Sequence, residues 1–169
     1  GRVHHTKGWH FLLQVISEYK KRNNNCLFIF VGDGGDRQEM ETVISNYNIT
    51  DNVIITGFLP SNVVAKYIQA ADLFLLGSQK EGWSTSLIEA LACYKPIITT
   101  KVSSATSIVK DGINGFVIAQ HDLHGFVSAI DKALKLNNFN EYIDKEISKY
   151  SLDTLKESLE AIWSPERTT

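Results

Sequence analysis

Two carboxylates eight positions apart, Glu81 and Glu89, enclose a glycine and a run of hydroxyls in Glu81-Gly82-Trp83-Ser84-Thr85-Ser86-Leu87-Ile88-Glu89. A carboxylate accepts several hydrogen bonds at once and suits the neighbouring hydroxyls that sugars and riboses present. The apolar run Asp72 to Gly77 precedes the segment and a helix-like pattern follows it. Glu81 is therefore expected at the carboxyl end of a strand and Glu89 inside the next helix. Ligands of open α/β sheets bind outside the carboxyl ends of the strands. The segment reads as a carbohydrate or nucleotide-sugar site. A surface Glu near a helix start, and a Glu closing a capping box with Ser86, would explain the two residues separately. Neither explains Gly82, or why strand end, glycine, hydroxyls and second carboxylate coincide.

Other residues offer weaker chemistry. Arg2 and Lys7 flank a loop leading into the first expected helix. Two cations beside a helix N-terminus make an anion site, the guanidinium gripping two phosphate oxygens and the ammonium acting as a point charge; two exposed surface cations are the plainer reading. Gly32-Asp33-Gly34-Gly35 follows a strand, but Arg37 stands where G-x-G-x-x-G needs its third glycine. That turn suits either close approach to a flat base or a purely structural bend. A nicotinamide dehydrogenase is disfavoured by the missing glycine and by the lack of an acidic residue ending a matching second strand. His4, His5, His10, His121 and His124 form no metal-ligand constellation, and Ser84 and Ser86 lack a G-x-S-x-G context.

The elements that must position these groups alternate along the chain. Helical spacing is expected between Lys7 and Arg22, around Met40 to Tyr47, from Ser61 (a plausible N-cap) to Ala70, from Thr85 to Tyr94, around Phe126 to Leu136 and around Leu152 to Trp163. Strands are expected at Cys26–Val31, Val53–Gly57, Asp72–Leu76, Pro96–Thr100 and Phe116–Ile118, the last after the tight turn Asp111-Gly112-Ile113-Asn114-Gly115. This order implies an α/β fold, a doubly wound parallel sheet covered on both faces. No apolar run leads into Gly1-Arg2, so a strand of the sheet is expected before residue 1.

Bulk properties exclude several classes. At 169 residues the chain fits one domain. A formal charge of −2 and the single cationic run Lys20-Lys21-Arg22, suited to a helix C-terminus, leave no nucleic-acid footprint. No segment reaches the roughly 18 apolar residues of a membrane span. Cys26 and Cys93 lack metal or redox spacing and are expected as buried thiols in a reducing compartment. Asn48-Ile49-Thr50 is then a coincidental sequon.

Several ordered motifs together resemble the nucleotide-sugar-binding C-terminal half of a retaining GT-B glycosyltransferase, in the large group that contains sucrose synthase and glycogen synthases. Gly1-Arg2 with Lys7-Gly8 resembles its G-R…K-G element, Val31-Gly32-Asp33-Gly34 its V-G-x-G turn, and Gly57-Phe58-Leu59 its base-contacting loop. Ser78…Glu81-Gly82 to Glu89-Ala90 resembles its E-x7-E signature, and Asp111-Gly112-x-Asn114-Gly115 a later turn. The resemblance implies a Rossmann-like domain that binds a nucleoside-diphosphate sugar. Arg2 and Lys7 would bind the diphosphate, and Gly32 and Gly34 of the V-G-x-G turn would also belong to the donor site. Glu81, with backbone groups of Gly82, Trp83 and Ser84, would hold the transferred sugar, and Thr85 would also belong to the donor site; Glu89 would meet the ribose, and Gly57, Phe58 and Leu59 the base. Glu81, Arg2 and Lys7 would be the catalytic set, with no metal and no cofactor. Further partners implied are an N-terminal domain of the same parent enzyme, absent from this chain, and a glycan or lipid-linked acceptor. The implied location is cytoplasmic, or peripheral at the inner face of a membrane through the absent domain. Ser84 and Tyr94 replace frequent glycines and Ser107 a frequent Glu; only Ser84 is expected to bear on donor choice. A binding module that holds a sugar nucleotide without transferring it is the alternative.

Overall fold

The computed structural model describes residues 1–154, 156 and 157. A 3-10 turn His5–Lys7 leads into α1 (Trp9–Lys20), β1 (Phe28–Phe30) and α2 (Arg37–Asn46). After a second 3-10 turn at Thr50–Asn52 come β2 (Val53–Ile55), α3 (Ser61–Ala70), β3 (Phe74–Leu76) and α4 (Thr85–Ala92). The chain then runs through β4 (Ile97–Thr100), α5 (Ala105–Ile108), β5 (Gly115–Ile118), α6 (Leu123–Ala133) and α7 (Asn140–Ser148). Of the helix expected around Leu152 to Trp163, position 155 and all positions from 158 onward lie outside the described residues.

Pairing between the named strands is parallel, with Phe28 opposite Val53, Phe74 opposite Ile97 and Ile97 opposite Gly115. Alternation along β3, β4 and β5 shows why both faces of that sheet are covered. Leu75, Ile98, Phe116 and Ile118 pack against α1 and α6, where Phe126 is fully buried. Phe74, Leu76, Ile97 and Val117 point the other way, into a core with Leu87 and Leu91 of α4 and Ile143 of α7. Central β4 is buried along its whole length, Thr99 and Thr100 included.

The expected sheet differs in two respects. It is divided into β1–β2 and β3–β4–β5, and α1 bridges the two parts. Phe11, Leu12, Val15 and Tyr19 of α1 belong to the core over β3–β5, whereas Trp9, Leu13 and Ile16 join Met40, Ile44, Ile49 and Val53 over β1–β2. Buried side chains on so wide an arc explain why nearly every residue between Phe11 and Ile16 is apolar. The second face of β1–β2 is uncovered: the cross-strand pair Ile29 and Ile54 is exposed, with Leu27 beside it.

Local corrections follow from capping. Ser61 is the first residue of α3 and not its cap; Pro60 holds the extended cap position, and its carbonyl accepts from Val63 and Val64. Helix α6 starts at Leu123, earlier than its apolar pattern, because the Asp122 carboxylate accepts from the Gly125 amide at 2.8 Å. Four-residue α5 is too short for any periodicity to reveal. Cys26 and Cys93 are free but half-buried, not fully buried, and burial still raises the pKa of both thiols.

Candidate functional site

The carboxyl ends of β1 and β3 meet along one stretch of backbone, Gly1 to Gly8. At one end, Val3 N–H donates to the Asp33 carbonyl at 2.9 Å, and the Gly1 amino group bonds Val31 O. At the other, Gln79 N–H donates to Thr6 O at 3.0 Å. The turn after β1 explains its own glycines. A Cβ on Gly32 (φ 140°) would lie 1.7 Å from Gly1 O, and one on Gly34 would lie 2.1 Å from Val3 O. The close approach that these glycines permit is by the chain's own backbone. Gly32 also bridges Gly57, which brings the loop after β2 alongside that turn. Within it, Phe58 is 74% exposed.

Lys7 and Glu81, 74 positions apart, are joined here. The Lys7 ammonium donates to both Glu81 oxygens, at 2.8 and 3.1 Å. Ser78, fully buried, donates its hydroxyl to Oε1 of the same carboxylate at 2.7 Å. Only 11% of the Glu81 side chain remains exposed, so its orientation is set by two donors before any ligand arrives. Glu89 is exposed on α4, and its carboxylate, like the Lys7 ammonium, is near enough to Gly1 to act on it electrostatically. Arg2 is exposed, and its guanidinium has no partner among the described residues.

The capping explanation for Glu89 fails. Helix α4 begins at Thr85 with Ser84 as its cap residue, which places Ser86 within the first turn and Glu89 mid-helix. Ser84 makes no capping bond; its hydroxyl meets that of Ser86 at 3.0 Å. Its amide donates to Ser104 Oγ at 3.1 Å, in a buried setting. Of the backbone groups expected to hold a sugar, the Ser84 N–H therefore already has a protein partner, while Gly82, Trp83 and Thr85 are exposed. Ser104 lies after β4, and no local pattern marked it. Likewise unmarked was the ion pair of Asp33 with Arg37, 2.9 Å, beside Gly57. Asp33 accepts from Gly34 N–H and from Arg37, and both hold its pKa below the ordinary carboxylate value.

Residues 1–150 match the family described as Glycosyl transferases group 1. The chain belongs to that family. This group 1 domain is 35% identical over 136 residues to the 2-deoxystreptamine N-acetyl-D-glucosaminyltransferase of Niallia circulans, covering 80% of the chain and 34% of that relative. It is 24% identical to the alpha-D-kanosaminyltransferase of Streptomyces kanamyceticus, covering 96% of the chain and 44% of that relative. The domain thus spans less than half the length of these curated relatives. Among solved structures, it superposes on the pneumococcal O-GlcNAc transferase GtfA, crystallised with UDP and GlcNAc, with a TM-score of 0.81 at 20% identity over 95% of the chain and 34% of that protein. The C-terminal domain of the group 1 protein LpcC from Francisella tularensis gives 0.77 at 22% identity, covering 90% of the chain and 84% of that domain. The fold is therefore the Rossmann-like C-terminal half of a GT-B glycosyltransferase.

Tyr94, standing where a glycine is frequent, keeps a left-handed backbone (φ 56°), and its hydroxyl bonds Asp144 of α7. The side chain is exposed and ties the C-terminal end of α4 to α7. Among the described residues no cluster of metal-ligating side chains occurs, and no helix is long and apolar enough to cross a membrane.

Proposed function

We propose that this group 1 domain binds the nucleoside-diphosphate-sugar donor of a glycosyltransferase that moves the sugar, with retention, to a glycan or lipid-linked acceptor. The observation that carries the reading is the Ser78–Glu81–Lys7 constellation at the strand ends, beside exposed Arg2 and Glu89. Arg2 and Lys7 take the diphosphate, Glu81 the hydroxyls of the sugar, Glu89 the ribose, and Gly57 to Leu59 the base. An ammonium has three donors, so Lys7 can keep Glu81 oriented while it turns another proton to a phosphate oxygen.

In transfer, the bond from the anomeric carbon to the diphosphate breaks as an acceptor oxygen bonds that carbon on the same face. The acceptor's proton leaves with the departing phosphate oxygen. The two cations stabilise the charge that develops on the diphosphate, and Glu81 orients an oxocarbenium-like sugar. In this reading cationic side chains supply the charge a metal would otherwise supply, so added chelator leaves donor binding unchanged. The acceptor contacts belong to a second domain of a longer protein.

Thermal-shift titration with uridine, guanosine and adenosine diphosphate sugars tests the assignment. UDP-N-acetylglucosamine is the first probe, because GtfA was crystallised with UDP and GlcNAc and a relative 35% identical is an N-acetylglucosaminyltransferase. Ligand at 100 times its dissociation constant adds about 2.7 kcal/mol of stability. No stabilisation by any of the three classes would overturn the reading.

A further inference from the structure

Glu81 sits on a loop, and a carboxylate that recognises sugar hydroxyls must be held within a fraction of an ångström. The Ser78 hydroxyl that orients it is only as fixed as the Ser78 backbone. Two side chains grip that backbone, one at the end of β4 and one in the loop after β5. Thr100, the buried last residue of β4, donates its hydroxyl to Ser78 O at 2.6 Å. Gln120, two residues beyond β5, aims its side-chain amide at three carbonyls: Lys101 O at 3.1 Å, Ser78 O at 3.2 Å and Gln79 O at 3.4 Å. Ser78 O thus uses both lone pairs, and the loops after β3, β4 and β5 are tied at one point.

We infer that Thr100 and Gln120 are positioning residues for sugar recognition, acting through Ser78 on Glu81 and setting the domain's preference for a full sugar-nucleotide donor over the bare diphosphate. The inference rests on the proposed role of Glu81. The contacts run in one direction: β4 and the loop after β5 supply the donors, Ser78 O receives them, and Ser78 Oγ passes the constraint to Glu81 Oε1 at 2.7 Å. Arg2 and Glu89 lie outside this chain of bonds, and Lys7 joins it only at its far end, through the Glu81 oxygens, so the contacts of Arg2 to the diphosphate and of Glu89 to the ribose do not depend on it. The geometry also explains a polar residue at 120 where β5 has ended. A methionine of equal length would fill the space and leave the three carbonyls without their shared donor.

The experiment is isothermal titration of the full chain with UDP and with UDP-N-acetylglucosamine, for wild type, Glu81→Gln, Gln120→Met, Thr100→Val and Thr100→Ser. Gln120→Met and Thr100→Val are expected to bind UDP-N-acetylglucosamine about three- to tenfold more weakly while binding UDP within twofold of wild type. Thr100→Ser keeps the hydroxyl and is expected to match wild type for both ligands. If Glu81→Gln shows the selective loss but Gln120→Met and Thr100→Val do not, the positioning role is wrong and the assignment of Glu81 stands. Equal losses for both ligands, with a lowered Tm, would make the clamp merely structural and also overturn it. If Glu81→Gln itself discriminates nothing, the sugar-holding assignment fails and this inference falls with it.

Discussion

Glu81 and Glu89 belong to one short segment yet occupy opposite environments, and their substitutions should diverge accordingly. Glu81 is nearly enclosed and held by Lys7 and Ser78; Glu89 is exposed and mid-helix. Glu89→Gln is expected to weaken UDP and UDP-sugar alike, whereas Glu81→Gln weakens the sugar nucleotide and spares UDP. Charge-assisted hydrogen bonds contribute about 1.5–3 kcal/mol, tenfold or more in affinity, which titration calorimetry resolves. Small, equal effects would return both residues to the surface. Gly34 carries a different kind of constraint. An alanine there places Cβ 2.1 Å from Val3 O, so Gly34→Ala should destabilise the fold by about 1–3 kcal/mol and weaken UDP by displacing Arg2. Chemical denaturation and UDP titration on the same sample check both halves.

Among the elements, two turns are stabilised by side chains whose effects are separable. The turn before α2 rests on Asp33, whose carboxylate accepts from Gly34 N–H and from Arg37. Its folded pKa lies below the ordinary aspartate value of 3.8. The contribution is therefore complete above that value and is lost as pH falls through the lower, folded pKa. Asp33→Asn should lower Tm at pH 7, and the gap to wild type should close below about pH 4, in Tm measured from pH 7 to pH 2.5. The turn before β5 rests on Asn114, fully buried, which donates to Ile108 O at 3.0 Å and accepts from Lys110 N–H at 2.7 Å. Asn114→Ala leaves both backbone groups unpaired. A loss of about 2 kcal/mol, or roughly 4–8 °C in Tm, is expected with UDP affinity unchanged. The Asp111-to-Gly115 motif was legible in the sequence as a turn, and its role is structural. Less legible were α5, too short for periodicity, and the start of α6, which its Asp122 cap decides over its apolar pattern.

At the scale of the whole molecule, the domain gathers Lys7, Ser78 and Glu81 beyond the carboxyl ends of β1 and β3 and covers less than half the length of its relatives. Purified alone, it is expected to bind UDP yet transfer little or no sugar to glycan acceptors; efficient transfer by this chain in a radiolabelled-donor assay would refute the two-domain reading. Alternating strands and helices, the E-x7-E spacing and the glycine-bearing turns were all readable from the sequence. Each is a local signal, set by side-chain period, by capping chemistry or by a backbone conformation that one residue type tolerates. Strand registers, the bare face of β1–β2 and the engagement of the Ser84 amide by Ser104 were not readable, because each depends on which distant segments lie side by side. Nor were the Lys7–Glu81 pair, 74 positions apart, and the grip of Thr100 and Gln120 on Ser78. The sequence by itself determined the alternation of strands and helices as far as α6, apart from short α5, the family, and the groups that could meet a nucleotide sugar; it did not mark α7. The tertiary structure decided which of those groups already hold one another, since a hydrogen bond reaches about 3 Å and only the packing of parallel strands brings such remote residues that close.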